Sequence, residues 1–286
     1  MSLVVVTAAP GNPGVTTTAL ALTATAGERH DAVMAECDPS GGDVAGWIGG
    51  AADPSWVSAV ASADRSWAGF CRHLRSLPSG QQVMLAPSWS AHAEATIDEA
   101  ADRFGPLLAS LTDALVVADT GRCVAPTAWH RRADEVVVVV RQEPASAHAT
   151  VPRIDRSVEL VRRLQAVARQ VGVLVIGSRP YDPAEIAETA DAPLVGAVPH
   201  DPGAAALLSG AWSLGRGAGR SRLVKAFRPV AAELVDRVTT TSGRSIDVTP
   251  DRDDGERTIG ATTDEEHRPV GGSRRTTGVQ QGEVAR

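Results

Sequence analysis

Two stretches of this chain, Leu3-Val4-Val5-Val6 and Val136-Val137-Val138-Val139-Val140, are apolar at every position. Strands that face water on one side alternate apolar with polar residues. Unbroken runs therefore belong to strands covered on both faces, as in a parallel sheet held between two helix layers. Counting these two runs, β-branched segments recur seven times, at 3–7, 32–36, 82–86, 114–119, 135–141, 171–177 and 193–199. Helical stretches lie between them at 16–26, 91–111, 153–169 and 183–190. The second is expected to break at Gly105-Pro106, and the last opens with Asp182 as N-cap and Pro183 at the first helical position. This alternation predicts an α/β fold of three layers: a mostly parallel, twisted sheet of about seven strands with helices on both faces.

The charge balance narrows the partners. With 28 basic against 34 acidic residues, the net charge of −6 removes the broad attraction that drives non-specific binding to nucleic acid or anionic lipid. Cys37, Cys71 and Cys123 form no C-x-x-C pair, so neither a disulfide framework nor a zinc site is implied. No window reaches the roughly 18 apolar residues of a membrane span, and no basic n-region precedes the first strand, so a cytoplasmic protein is expected. From Thr239 onward polar and charged residues dominate. The reading is one domain at 1–238 and a disordered polar tail at 239–286, whose seven arginines against nine acids do not make a basic arm for DNA.

Chemistry concentrates just after three strands. The first is followed by Ala9-Pro10-Gly11-Asn12-Pro13-Gly14-Val15-Thr16-Thr17, a Gly-rich turn that opens a helix. Converging backbone N–H groups and the positive end of the helix dipole suit such a turn to phosphate, and a hydroxyl at Thr16 suits it to Mg2+. A lysine normally completes that chemistry, but Val15 holds its place and Lys225 is the only lysine in the chain. Arg122 and Arg141 can substitute for the missing charge or serve as ordinary surface arginines. After the second strand comes Glu36-Cys37-Asp38-Pro39-Ser40-Gly41, where Asp38 can orient a water or cap the next helix. The run 115–118 ends in Asp119-Thr120-Gly121, an acid able to hold Mg2+ and a glycine that lets the backbone approach a terminal phosphate.

These three segments, in this order, resemble the ParA/MinD family of P-loop ATPases over residues 1–238. The family's loop K-G-G-x-G-K-T-T occupies the frame of residues 10–17, with Pro10 and Val15 in place of both lysines. One of those lysines reaches across a sandwich dimer in the family, and the other contacts phosphate in cis. The switch D-x-D-P-x-G resembles residues 36–41, with Glu36 replacing the first Asp, and Gly177-Ser178-Arg179 stands where members carry Asn before Arg. The resemblance implies ATP and Mg2+ as cofactors, held by Gly11, Asn12, Pro13, Gly14, Val15, Thr16, Thr17 and Gly121. Thr16 and Asp119 would serve the metal, and Asp38 the attacking water.

The resemblance also implies a homodimer with protein partners that positions chromosomes, plasmids or a cell-envelope machine, with slow hydrolysis. A second reading is a non-hydrolysing scaffold like the CpaE-like proteins of pilus secretion systems. MinD-like proteins end in a membrane-binding helix. Here Leu223, Phe227, Val230, Leu234 and Val238 share one helical face, Pro229 interrupts the segment, and basic residues are few, so docking on the sheet is expected instead.

Overall fold

The structure, a computed structural model, describes residues 3–49, 53–208 and 221–242. Its strands are β1 (Leu3–Ala8), β2 (Asp31–Glu36), β3 (Arg75–Ser76), β4 (Gln82–Met84), β5 (Ala114–Arg122), β6 (Glu135–Arg141), β7 (Val171–Ile176) and β8 (Leu194–Val198). They form one sheet in the order β3-β4-β2-β5-β1-β6-β7-β8. Seven of them are the strands read from the sequence, and all pairs among those seven are parallel. The eighth, β3, pairs antiparallel with β4 at the edge and has only two residues, too few to show a period of two.

The helices are α1 (Val15–Ala26), α2 (Val44–Trp47), α3 (Trp56–Ala61), α4 (Trp67–Cys71), α5 (Ser90–Ala109), α6 (Ala128–Arg132), α7 (Ala147–Gln165), α8 (Pro183–Thr189), α9 (Pro202–Leu208) and α10 (Arg222–Ser242). The pleat of β1 divides the core into two. Leu3 and Val5 join Trp56, Phe70, Phe104 and Trp129 from α3, α4, α5 and α6 on one face. Val4 and Val6 join Leu20, Leu22, Phe227 and Leu234 from α1 and α10 on the other. Unbroken apolar runs are needed because both faces are covered. Trp56 also donates from its indole nitrogen to the Glu36 carbonyl at 2.7 Å, which ties the first core to the end of β2.

Three prolines lie inside helices that the sequence reading broke, interrupted or began too late. Helix α5 runs through Gly105-Pro106, α7 starts at Ala147 ahead of Pro152, and α10 continues through Pro229. A helical proline frees the carbonyl four residues back. Here those residues are Asp102, His148 and Lys225, and all three are exposed, as are the prolines. Water can take the freed carbonyls, while buried neighbours such as Phe104, Leu108, Phe227 and Val230 hold each helix on the sheet. The apolar face of α10 is docked as expected, with Leu223, Phe227, Val230, Leu234 and Val238 all buried. That helix ends at Ser242, four residues beyond the expected boundary, and the rest of the expected tail lies outside the described residues. Among the described residues no helix is long and apolar enough to cross a membrane.

One buried ion pair fastens α10 to the sheet. The Glu135 carboxylate, fully buried at the start of β6, meets Arg237 at 2.7 Å. Burial pushes Glu135 up to about 7, against the pull of the arginine. The folded state therefore holds this proton more tightly than the unfolded chain, and the cost of the charged form grows as pH rises from 4.5 to 7. Arg237→Ala is expected to lower stability by about 3 kcal/mol at pH 8, since it leaves a buried charge unpaired. At pH 5, where Glu135 is already neutral, the loss should shrink. Urea unfolding at the two pH values measures it.

Candidate functional site

The chain leaves β1 at the centre of the sheet and turns at once into α1. Gly14 is the N-cap of α1 and has φ 112°, a left-handed conformation open to glycine, and no side chain caps the first N–H groups of the helix. Those groups stay available to an anion. Val15 is buried in the core on the α1 side and adds no charge. Pro10 and Pro13 have no N–H to give.

Asn12 does not face a ligand. Its side chain is fully buried, accepting from the Arg141 N–H at 3.0 Å and donating to Ser157 Oγ at 3.1 Å and to the Arg153 carbonyl at 3.4 Å. It holds the loop against β6 and α7. On the outer side, Arg156 of α7 donates to the Pro10 carbonyl at 2.8 Å, and its guanidinium lies over Gly11. Nothing in the sequence marks Asn12 or Arg156 for these roles, because each depends on a partner more than 120 residues away.

The acids gather at the carboxyl ends of β2 and β5, where Glu36 and Asp119 are register partners. Asp119 is buried and accepts from the Gly121 N–H at 2.9 Å, and the Thr16 hydroxyl lies near its carboxylate. Burial pushes its carboxyl up to about 6; Thr16 and the Gly121 N–H oppose the rise, and Asp38 and Asp43 add to it. Gly121 thus spends on Asp119 the N–H that a terminal phosphate would use. With φ 61°, it also packs against the Asp38 carboxylate so closely that no Cβ could fit.

Asp38 accepts from the Ser40 N–H at 2.7 Å. Burial raises its pKa, the Ser40 hydrogen bonds work against that rise, and Arg122 pulls it down from nearby. Glu36 has a different task. It accepts from the N–H groups of Asp43, Val44 and Ala86 at 2.9 to 3.1 Å, shaping the switch loop, while burial lifts it to about 7.

Behind β5, a buried network links the strand ends. His130 Nδ1 accepts from the Thr127 N–H at 3.0 Å, which leaves the proton on Nε2, facing Thr120 Oγ1 at 3.3 Å. Burial holds this imidazole neutral, with its pKa down at about 4. Thr120 in turn donates to the Val6 carbonyl, and Thr7 to the Gly121 carbonyl. Among the described residues no three His, Cys, Asp or Glu side chains converge into a metal cage. A divalent ion at Thr16 and Asp119 would draw its other ligands from phosphate and water, as Mg2+ commonly does.

Beside the loop opens a cleft of about 270 Å³, lined by Pro13, Gly14 and Thr17, by Arg141 at the end of β6, and by apolar Val198 and Phe227. Solved structures match over almost their whole length. The ParA family ATPase from Chlorobium tepidum TLS superposes with TM-score 0.60 at 14% identity, covering 82% of this chain and 98% of that one. The cell division ATPase MinD of Pyrococcus furiosus gives 0.63 at 15%, over 82% and 98%. MinD of Pyrococcus horikoshii OT3, solved with Mg-ADP, gives 0.61 at 13%, over 84% and 98%.

The fold is that of the ParA and MinD ATPases. No protein-family model and no curated protein matches the sequence. The residues present fit a magnesium-bound phosphate in part: an uncapped helix start, a threonine hydroxyl on a buried acid, and an arginine in the adjoining cleft.

The pKa of Asp119 provides a measurable signature. Its folded pKa of about 6 lies above the ordinary 3.8, so the folded state loses stability as pH rises through this window and the penalty is complete above it. Asp119→Asn removes the penalty. Without metal or nucleotide the variant is expected to be more stable than the parent by about 1 to 3 kcal/mol at pH 8, with the gain vanishing near pH 4. Thermal or urea unfolding across that range checks it.

Proposed function

We propose that this chain is an ATP-binding positioning protein of the ParA/MinD kind, which takes Mg2+ with the nucleotide, hydrolyses slowly and acts as a homodimer on protein partners. The observation that carries the reading is the buried Asp119 at the strand end beside an uncapped helix start, with Thr16 near it. A buried acid with a raised pKa costs stability, and such groups are retained where they have work to do. In this reading Gly11, Gly14, Thr16 and Thr17 surround the phosphates with backbone and hydroxyl donors, and Pro13 and Val15 complete the shape of the loop without adding N–H or charge. Thr16 and Asp119 hold the ion, whose chemistry when bound is to neutralise phosphate charge. Asp38, held by Ser40, orients water. The protein works in the cytoplasm, recruited to a complex at the membrane or nucleoid.

Hydrolysis is slow in this reading because nothing at Val15 stabilises charge developing on the transferred phosphoryl group. A second reading, a non-hydrolysing scaffold, is favoured by the buried Val15 and by the Gly121 N–H being engaged with Asp119. Calorimetric titration of Mg-ATP into the full chain separates the two. Binding about tenfold to a hundredfold weaker than a lysine-bearing loop would give, with turnover below about 1 s⁻¹, is the expected result. No heat and no thermal shift at millimolar nucleotide would leave the scaffold. Val15→Lys should tighten Mg-ATP binding at least about tenfold, and Asp38→Ala should abolish the remaining turnover while sparing binding.

A further inference from the structure

The missing lysine leaves the site without a cation at Val15, yet the adjoining cleft has an arginine with nothing to bind. Among the described residues the Arg141 guanidinium has no hydrogen-bond or ion-pair partner, and its Nε is buried and unsatisfied. Its backbone, by contrast, is fastened to the loop. The Arg141 N–H donates to Asn12 Oδ1 at 3.0 Å, and its carbonyl accepts from Arg153 at 3.4 Å. The side chain is therefore launched from a point fixed relative to the loop, so little ordering is needed on binding.

Arg141 lines the same cleft as Gly14 and Thr17 on the first turn of α1, with the apolar surfaces of Val198 and Phe227 across from it. Among the described residues the one carboxylate along that cleft, Asp201, caps α9, accepting from the Ala204 N–H at 3.0 Å. Across the loop from Arg141, on β5 at the other edge of β1, stands Asp119, with Asp38 packed against Gly121 beside it, and Val15 contributes no charge.

We propose that Arg141 is the phosphate-binding cation of this site, and that it grips the phosphates nearest the ribose rather than the terminal one. The proposal rests on the nucleotide reading above and sharpens it. Guanidinium presents a planar fork of N–H donors that matches phosphate oxygens, so one well-placed arginine can serve the inner phosphates. The terminal phosphate falls to the Thr16 and Asp119 end, where the reading above puts the ion, which leaves the inner phosphates to Arg141. Nucleoside diphosphate and triphosphate therefore depend on Arg141 to the same degree.

The test is calorimetry of the full chain in excess Mg2+ with ADP and with ATP, on the parent, Arg141→Ala and Arg141→Lys. The parent should bind both. Arg141→Ala should weaken both by at least about tenfold and by equal factors, with its nucleotide-free thermal midpoint unchanged, and Arg141→Lys should keep most of the affinity. If Arg141→Ala weakens ATP far more than ADP, the arginine reaches the terminal phosphate and the proposal fails. If it weakens neither while the parent binds, Arg141 is no phosphate ligand, although the nucleotide reading survives. A parent that binds neither nucleotide overturns the nucleotide reading, and this proposal with it.

Discussion

Strand β1 is hydrogen-bonded on both edges and covered on both faces, and the geometry of the site follows from that confinement. Its neighbours β5 and β6 run parallel to it, so three carboxyl ends emerge side by side at one edge of the sheet. The turn into α1, Asp119 with Gly121, and Arg141 are brought together by this pairing alone. Register fixes the rest: Val6 lies beside Asp119, and Asp119 beside Glu36. A slip of one residue would send every side chain of a strand to the opposite face. The unbroken apolar run of β1 would fill both cores after such a slip too, so the hydrogen bonds of Thr120 to the Val6 carbonyl and of Thr7 to the Gly121 carbonyl hold the register.

The electrostatics of the site are those of a cluster of acids with little counter-charge: Arg122 stands near Asp38, and Val15 adds none. Glu36 and Asp119 are both buried, and burial raises both pKa values above the ordinary carboxylate range. The two differ in what compensates them. Glu36 is ringed by three backbone N–H donors and serves the loop; Asp119 has one N–H and one hydroxyl and keeps capacity for a cation. That difference marks Glu36 as the acid committed to the loop and Asp119 as the one with acceptor capacity to spare. His130 works in the opposite direction. Kept neutral, it adds no positive charge behind β5 and leaves the acidic field intact.

Much of this was legible in the sequence, for reasons that also mark where legibility ends. Unbroken valine runs report two-sided burial, and an acid followed by glycine after such a run reports a strand end at a ligand edge, so seven strands and Asp38, Thr16 and Asp119 could be placed from local pattern. The prolines misled because period and propensity are local, whereas the burial of Phe104 or Phe227 that holds a proline-bearing helix in place is not. Asn12 was placed correctly in the loop, but its inward turn to Ser157 and Arg141 depends on chain segments 145 and 129 residues away. Arg141 could be named as a candidate cation; only the structure shows that its guanidinium has no partner among the described residues.

The supports of the loop bear on how a site lacking its lysine can still bind. Asn12 anchors it from inside through β6 and α7, and Arg156 anchors it from outside at the Pro10 carbonyl. Protein groups thus supply the contacts that fix its conformation, and no phosphate is needed to impose it. Preorganisation lowers the ordering cost that binding would otherwise carry, which offsets part of the lost charge. It does nothing for the transition state, where only interactions that strengthen as charge develops speed the chemistry. In the reading proposed above, a rigid cradle with its cation in the neighbouring cleft holds a nucleotide better than it cleaves one.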